Sequence, residues 1–187
     1  MNQLDTDRLR LRSWMPKDAP FLLDLESRVE TIRYLGPGAT VMMTIEQANA
    51  SIGRRRAVRG VGQGIWAIEH RDSGTLVGNL LCKPMSEEMQ RHVGVKPDDL
   101  ASEIGWHLHP DAQGQGFATE AARAVLDYAH RANPHQRVFA IVDPRNEPSQ
   151  KTCARLGLER IGYTEGYAVD EHLVYLAPSP EGRTTEP

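Results

Sequence analysis

The sequence predicts an α+β protein, an α/β sandwich in which helices flank one mixed β-sheet. Three observations support this fold class: short apolar segments of strand period, longer segments of helical period between them, and a glycine-rich turn that joins a strand to a helix. The chain has 187 residues, of which 40% are hydrophobic, and this is enough for one domain with a core. We expect a single domain over residues 1–177. Residues 178–187 combine Pro, Ser, Glu, Gly, Arg and Thr, and they are expected to form a disordered tail.

The first third of the chain predicts one strand followed by two helices. Leucines alternate with arginines over residues 8–14, which is the period of a half-buried strand. Residues 16–29 carry apolar side chains at helical spacing, and Thr44-x-x-Gln47 is a capping box that begins a second helix towards residue 59. Three consecutive arginines at 54–56 fall in this helix and indicate a solvated face.

Two further strands are predicted as a hairpin, followed by a segment without a clear period. Residues 65–69 and 76–82 flank a turn of Asp-x-Gly type that ends at Gly74. Residues 83–101 are rich in Pro, Glu, Gln and Asp, which predicts a long surface insertion. Such an insertion either lines a binding site or is only a flexible loop, and the sequence leaves both open.

The second half of the chain gives the sharpest pattern. A strand at 103–108 is followed by the turn Gln113-Gly114-Gln115-Gly116, which leads directly into a helix at 117–131. The remaining predicted elements are a strand at 138–142, a helix that follows a turn at 143–146 and ends near Gly157, and a final pair of strands at 158–167 and 172–177. Together these predictions give seven strands and about four helices.

The glycine-rich turn has the chemistry of an anion site. Glycine allows the backbone to approach a ligand closely, and the first turn of the following helix supplies unpaired N–H groups and the positive end of the helix dipole. A pyrophosphate would fit there. A P-loop is excluded because no Gly-Lys-Ser/Thr follows the glycines. A dinucleotide-binding fold is the remaining rival, but Thr119 stands where its third glycine or alanine should be.

A third type of anion loop matches at several places. Gln113-x-x-Gly116-x-Ala118 satisfies the Gln/Arg-x-x-Gly-x-Gly/Ala signature, and the surrounding EIGWHLHPDAQGQGFATEA resembles the RimJ/RimL-type branch of the GNAT superfamily of N-acetyltransferases. The opening TDRLRLR and the later Asn146-x-x-Ser149 with its Leu-Gly-Leu ending also resemble that branch. The resemblance covers essentially the whole chain, and it implies a mostly antiparallel sheet.

This resemblance implies a binding site for acetyl-CoA as cosubstrate. The cofactor-binding residues that it assigns are Leu108, Gln113, Gly114, Gln115, Gly116, Phe117, Ala118, Thr119 and Asn146. In this assignment the loop amides hold the pyrophosphate, and the strand at 103–108 diverges from the strand at 138–142 to admit pantetheine. Leu108 is expected to bond the ligand through its main chain, and Asn146 to contact the pantetheine arm.

An acceptor amine must lose a proton before it attacks the thioester. Deprotonation at pH 7 costs about 4.6 kcal/mol for a lysine amine and about 1.1 kcal/mol for an α-amine, from ordinary pKa values of about 10.4 and about 7.8. Glu103 and His107 lie on one strand face near the expected acetyl group, and either could accept the proton. Glu103 is the better family match. A salt-bridge role for Glu103 and a structural role for His107 are the alternatives.

The leaving thiolate also needs a proton. Many GNAT enzymes use a tyrosine in the last helix, and the matching position here is Cys153, so Ser149 is the candidate donor unless it only caps the helix. No His or Lys is paired in sequence with Cys153, which argues against a covalent acetyl-cysteine. No metal is expected, because His107-x-His109 lacks a third ligand.

We therefore predict direct acetyl transfer, in a ternary complex, to a protein N-terminal α-amine or a small-molecule amine. The α-amine is favoured, partly because Glu103 has no cationic neighbour in sequence. A non-catalytic CoA-binding or regulatory module is the alternative. The net charge of −3 argues against nucleic acid as a partner, the sequence has no long apolar segment that indicates a membrane or a secretion signal, and a cytoplasmic location is expected. A homodimer stays open.

Overall fold

The computed structural model describes residues 3–36, 39–96, 99–164 and 171–180. They form one eight-stranded sheet in the order β1-β2-β3-β4-β5-β6-β8-β7, with six α-helices. The strands are β1 Leu4–Asp5, β2 Leu9–Ser13, β3 Gly64–His70, β4 Leu76–Pro84, β5 Ala101–Leu108, β6 Arg137–Val142, β7 Glu159–Thr164 and β8 His172–Leu176. The helices are α1 Ala19–Ser27, α2 Val29–Ile32, α3 Ile45–Ala57, α4 Glu87–His92, α5 Phe117–Ala132 and α6 Glu147–Arg155.

The sheet is mixed and mostly antiparallel, as predicted. Each neighbouring pair of strands is antiparallel except β5 and β6, which are parallel. The eighth strand is β1, whose two residues pair with Arg10 and Leu11 of β2. A strand of two residues cannot display a period of two, so β1 was not predicted from the sequence pattern. Most of the expected tail, residues 181–187, lies outside the described residues.

The sheet separates two layers of apolar side chains. Alternate residues of a strand point to opposite faces, and in β3 Trp66 and Ile68 join the core under α5 while Ala67 joins the core under α1 and α3. Of the apolar positions predicted for α5, Ala121 and Val125 are fully buried, whereas the last one, Ala132, is exposed. Helices α1 and α3 therefore cover the face of the sheet that Ala67 joins, and α5 covers the opposite face.

The first predicted helix differs from the structure at both ends, whereas the second begins where it was predicted to begin. The helix expected over 16–29 begins with a 3₁₀ turn at Pro16–Asp18 and continues as α1, and α2 follows as a separate short helix. The second prediction is confirmed, since the Thr44 side chain accepts from the Gln47 amide and Gln47 bonds back to Thr44. Both differences concern single helical turns, where sequence period carries little information.

The segment at 83–101 is more ordered than its composition suggested. It contains α4, whose first turn is capped by the Ser86 hydroxyl. Met85 and Met89 are 3% exposed and belong to an apolar cluster with Phe139 and Val174 of the sheet. The expectation of a surface insertion without secondary structure is thus wrong for this helix. A six-residue helix is too short to show a helical period in sequence.

One interruption in the sheet places the functional site. β5 and β6 pair from Ala101 with Arg137 to Glu103 with Phe139, and the described pairing stops there. The last five residues of β5 continue along β4, while β6 continues along β8. The two parallel strands therefore diverge towards their carboxyl ends, as the sequence analysis expected.

Candidate active site

A cavity of about 1030 Å³ runs through the gap between β5 and β6. One end is lined by the glycine-rich turn and the beginning of α6, and the other end by α2, α3 and the β4–β5 face. The residues of diverging strands, including Ile104 and Ala140, lie between the two ends. This arrangement leaves a passage through the sheet that connects an anion-binding turn to a polar pocket.

The glycine-rich turn has the backbone conformation that an anion cradle requires. Gly114 and Gly116 have φ angles of 75° and 81°, in the left-handed region that favours glycine. Gly116 is the N-cap of α5 and provides no side-chain cap, so the first-turn N–H groups have no capping side chain. A Cβ atom at Gly114 would meet nothing within 4 Å, which means that the turn faces open space.

Most of the sequence-predicted cofactor residues lie together at this end of the cavity. The residues that line it are Leu108, Gln113, Gly114, Gly116, Phe117, Ala118, Thr119 and Asn146. Gln115 is the exception, because it borders a shallower groove on the outer side of the turn. The Gln113 side-chain amide donates to the Leu108 main-chain carbonyl at 3.2 Å. This carbonyl therefore already has one hydrogen-bond partner within the protein.

Arg8, which lies immediately before β2, contacts the glycine-rich turn and was not identified from the sequence. Its guanidinium donates to the Gln115 carbonyl at 3.1 Å, lies over the Phe117 ring at 4.7 Å, and pairs with Glu120 in the first turn of α5. Burial alone would raise the pKa of Glu120, but hydrogen bonds from Thr6 and Arg8 outweigh it and the pKa is lowered. Hydrogen bonds and an ion pair thus connect the turn to the residues between β1 and β2.

The beginning of α6 forms the opposite wall. Asn146 is its N-cap, and the Asn146 side-chain oxygen accepts from the Ser149 amide at 3.2 Å. Asn146 and not Ser149 therefore caps this helix, so the capping alternative for Ser149 is wrong. Ser149 lines the cavity. Cys153 is fully buried outside the cavity lining, and burial raises its thiol pKa to about 12, which argues against a covalent role.

At the acceptor end, Glu103, Gly105 and His107 line the cavity from one face of β5. Glu103 has a partner that the sequence analysis missed, since the Lys83 ammonium lies 3.3 Å from its carboxylate. Register places these two residues opposite each other on β4 and β5. The salt-bridge alternative for Glu103 is therefore borne out. The absence of a cationic neighbour in sequence did not exclude it, because residues twenty positions apart become cross-strand neighbours.

His107 also has an unexpected partner. Its Nε2 lies 3.0 Å from the Glu26 carboxylate of α1, and the same oxygen of Glu26 pairs with Arg55 of α3. Burial would raise the pKa of Glu26, but the His107 hydrogen bond and the Arg55 charge reverse this and lower it. The prediction of a solvated face for the arginines of α3 is wrong for Arg55, whose side chain is 12% exposed.

The fold and the site together define a class of protein: an α+β sandwich in which a glycine-rich turn and a polar pocket meet at a split in the sheet. Residues 8–159 match the family model described as the acetyltransferase (GNAT) domain. The chain is also 31% identical to the uncharacterised N-acetyltransferase YoaA of Bacillus subtilis, over 88% of this chain and 86% of that one. The chain belongs to the GNAT acetyltransferase family.

Solved structures of low sequence identity share this fold, and one shorter sequence match covers a third of the chain. RimJ of Mycobacterium smegmatis in complex with CoA-disulfide has a TM-score of 0.77 at 21% identity, covering 96% of this chain and 87% of that chain. RimL, a ribosomal α-N-protein acetyltransferase in complex with coenzyme A, has a TM-score of 0.74 at 17% identity, covering 94% and 97%. The [ribosomal protein uS5]-alanine N-acetyltransferase of Escherichia coli is 34% identical over 34% of this chain and 33% of its own.

The described residues also bear on two other expectations. Within ranges 3–36, 39–96, 99–164 and 171–180, no group of three or more His, Cys, Asp or Glu side chains could hold a metal ion. The same part of the chain contains no helix of the length and apolarity needed to cross a bilayer.

Proposed function

We propose that this protein transfers an acetyl group from acetyl-CoA to a primary amine by direct attack in a ternary complex. The observation that carries the proposal is the continuous cavity that joins the glycine-rich turn to the acceptor pocket through the sheet. Because the two ends lie on opposite sides of the gap, two substrates can meet there without displacing each other. Direct transfer needs this geometry, and a single-ligand site does not.

The cofactor end supports acetyl-CoA because its donors suit a pyrophosphate. We assign the main-chain amides of residues 113–118 to the diphosphate, with the Thr119 hydroxyl nearby, and Asn146 to the pantetheine arm. Members of the GNAT family use acetyl-CoA, and two structures similar to this one contain CoA or its disulfide. Leu108 is assigned a main-chain contact to the ligand near its thioester.

The acceptor end contains the groups that amine chemistry requires. Glu103 and His107 are the two candidates for the base, and the Ser149 hydroxyl is the candidate that protonates the leaving thiolate. The α-amine of a protein is the preferred acceptor, because its deprotonation costs about 3.5 kcal/mol less than that of lysine at pH 7. The names of the RimL and uS5-alanine relatives support the same choice.

The test is thiol release from acetyl-CoA in the presence of a panel of free amines and peptides. We expect amine-dependent release of one CoA thiol for each acetyl group transferred. Saturable acetyl-CoA binding without amine-dependent release would instead identify a non-catalytic CoA-binding module. Failure to bind acetyl-CoA at all would contradict the assignment of the cofactor end.

A further inference from the structure

We propose that Glu26 is a positioning residue that holds His107 in the tautomer of a general base. This inference rests on the proposed acetyl transfer and adds to it the identity of the base and a residue that acts through it. It begins from the contact between His107 Nε2 and the Glu26 carboxylate at 3.0 Å, which joins α1 to β5 inside the cavity wall.

The charge of Glu26 decides which ring nitrogen of His107 carries the proton. An ionised carboxylate only accepts hydrogen bonds, so the nitrogen that faces it must be the donor. The lowered pKa of Glu26 keeps that carboxylate ionised at neutral pH. In the neutral imidazole the proton is therefore on Nε2, and Nδ1 has the lone pair that can accept a proton from an amine.

Glu26 is itself held in place from α3 and the sheet. Arg55 pairs with the same Glu26 oxygen, and its remaining groups bond to the Ser51 hydroxyl and, at 3.2 Å, to the Asn79 side-chain oxygen. The Trp14 indole donates to that Asn79 oxygen at 3.1 Å. A carboxylate restrained by this many partners can orient an imidazole without moving during the reaction.

Glu103 is in a less favourable setting for the same task. It shares the β5 face with His107 but is paired with Lys83 at 3.3 Å, so an acceptor amine must compete with that ammonium for the carboxylate oxygens. The charged groups that face His107 from the packed elements are Glu26 of α1 and Arg55 of α3, with the polar Asn79 of β4 opposite it in register.

The proposed step balances as follows. The amine nitrogen forms a bond to the acetyl carbonyl carbon, and the bond from that carbon to the CoA sulfur breaks with its electron pair. The amine proton goes to His107 Nδ1, and the imidazolium that forms is stabilised by the Glu26 carboxylate. The thiolate then takes a proton from Ser149 or from solvent.

The tautomer can be measured directly in the full-length protein. Nitrogen-15 NMR of histidine-labelled protein, with the His107→Asn spectrum for assignment, reports which ring nitrogen is protonated. We expect a neutral ring with the proton on Nε2 at the pH of maximal activity. A doubly protonated ring, or a proton on Nδ1, at that pH would overturn the proposal.

Kinetics of Glu26 variants give a second, independent readout. For Glu26→Gln we expect kcat to fall about 10- to 100-fold while KM for acetyl-CoA stays within about twofold, because only the orientation and charge behind the base are lost. Glu26→Asp keeps the charge and should recover part of kcat. Glu69→Gln is the matched control, since Glu69 is paired to Arg12 at similar exposure, 15% against 12%, outside the cavity lining.

Glu26→Gln leaves Arg55 buried without its counter-charge, which could unfold the protein. The double variant Glu26→Gln/Arg55→Gln removes both charges and tests the same point in a folded chain. A kcat within about threefold of the parent in this variant would exclude a positioning role. The proposed function is judged separately: if the unaltered protein releases no thiol with any amine, acetyl transfer itself is refuted, whatever the tautomer of His107.

Discussion

Gly116 determines whether the turn before α5 can receive an anion. Its positive φ and its place at the N-cap leave the amides of the first helical turn without a capping side chain, as an anion site requires. The only described atom that a Cβ there would meet is the Arg8 guanidinium at 3.6 Å, so a small side chain has room on the protein side. A substitution at this position therefore has little effect on packing but strains the left-handed backbone, and a control with the same strain is needed.

Gly116→Asp should weaken acetyl-CoA binding by at least about tenfold, because a carboxylate enters the region proposed for the pyrophosphate. Titration calorimetry measures this directly. Gly74→Asp is the matched control, since Gly74 also has a positive φ, of 68°, with open space around it in the β3–β4 turn. Equal acetyl-CoA affinity in the folded Gly116→Asp protein would refute the assignment of the turn.

Glu103→Gln should lower kcat by less than about tenfold, whereas His107→Gln should lower it by about 10²–10⁴. The difference is expected because the Glu103 carboxylate is already paired with Lys83, while His107 has a carboxylate bonded to one ring nitrogen and, among the described residues, no hydrogen-bond partner at the other. Steady-state kinetics at saturating acetyl-CoA compares the two variants under one condition. The reverse order of effects would return the role of base to Glu103.

At the residue scale, the sequence identified those groups whose chemistry is local. The glycine turn and Asn146 are recognisable because a few neighbouring residues define them. Glu26 could not be found in this way, because its partner His107 is 81 positions away and only the packing of α1 on β5 joins them. Arg55 was predicted to be solvated for the same reason. Three consecutive arginines do not indicate which of them is buried against a distant carboxylate.

At the element scale, the segment that leads into β2 is bonded to the glycine-rich turn. Arg8→Gln should weaken acetyl-CoA binding about fivefold, which corresponds to about 1 kcal/mol for one exposed charge-assisted hydrogen bond. The loss follows from removing the bond to the Gln115 carbonyl and the contact with Phe117. Arg10→Gln is the control, because Arg10 lies two residues further on, in β2, and is paired with Asp5 and Glu69. It should leave the calorimetric affinity unchanged.

Helix α4 should contribute to stability although its sequence gave no helical period. Met89→Ala should lower the free energy of unfolding by about 2–4 kcal/mol, because it leaves a cavity against the sheet. Urea unfolding followed by tryptophan fluorescence provides the value. Met43→Ala, at a side chain that is 71% exposed, should change it by less than about 0.5 kcal/mol, and a similar small change for Met89 would show that α4 is weakly packed.

The elements that were predicted correctly are those long enough to repeat their pattern. Helix α5 has sixteen residues and shows its apolar stripe over four turns, and α3 has a capping box at its start. The strand β1 has two residues, which is one period of a strand. Helices α2 and α4 have four and six residues, which is less than two turns of a helix. These short elements are stabilised by tertiary packing, and a local sequence pattern does not predict tertiary packing.

At the scale of the whole molecule, the substrate assignment concerns the pocket between α2, α3 and the β4–β5 face. Peptides with a free α-amine should have a higher kcat/KM than N-blocked peptides that contain lysine, because less free energy is needed to deprotonate the α-amine at neutral pH. A panel of matched peptide pairs, measured by thiol release, makes the comparison. Preference for blocked lysine peptides or polyamines would overturn the α-amine assignment but leave acetyl transfer intact.

The divergence of β5 from β6 has a thermodynamic consequence. Main-chain groups beyond Glu103 and Phe139 on the facing edges of these strands are not paired with each other, so the sheet is held together there by less than its full ladder. A ligand that bonds to those edges completes the ladder between two halves of the molecule. Cofactor saturation should therefore raise the melting temperature and slow amide hydrogen exchange at the gap, and at one hundred times the Kd the stabilisation is about 2.7 kcal/mol.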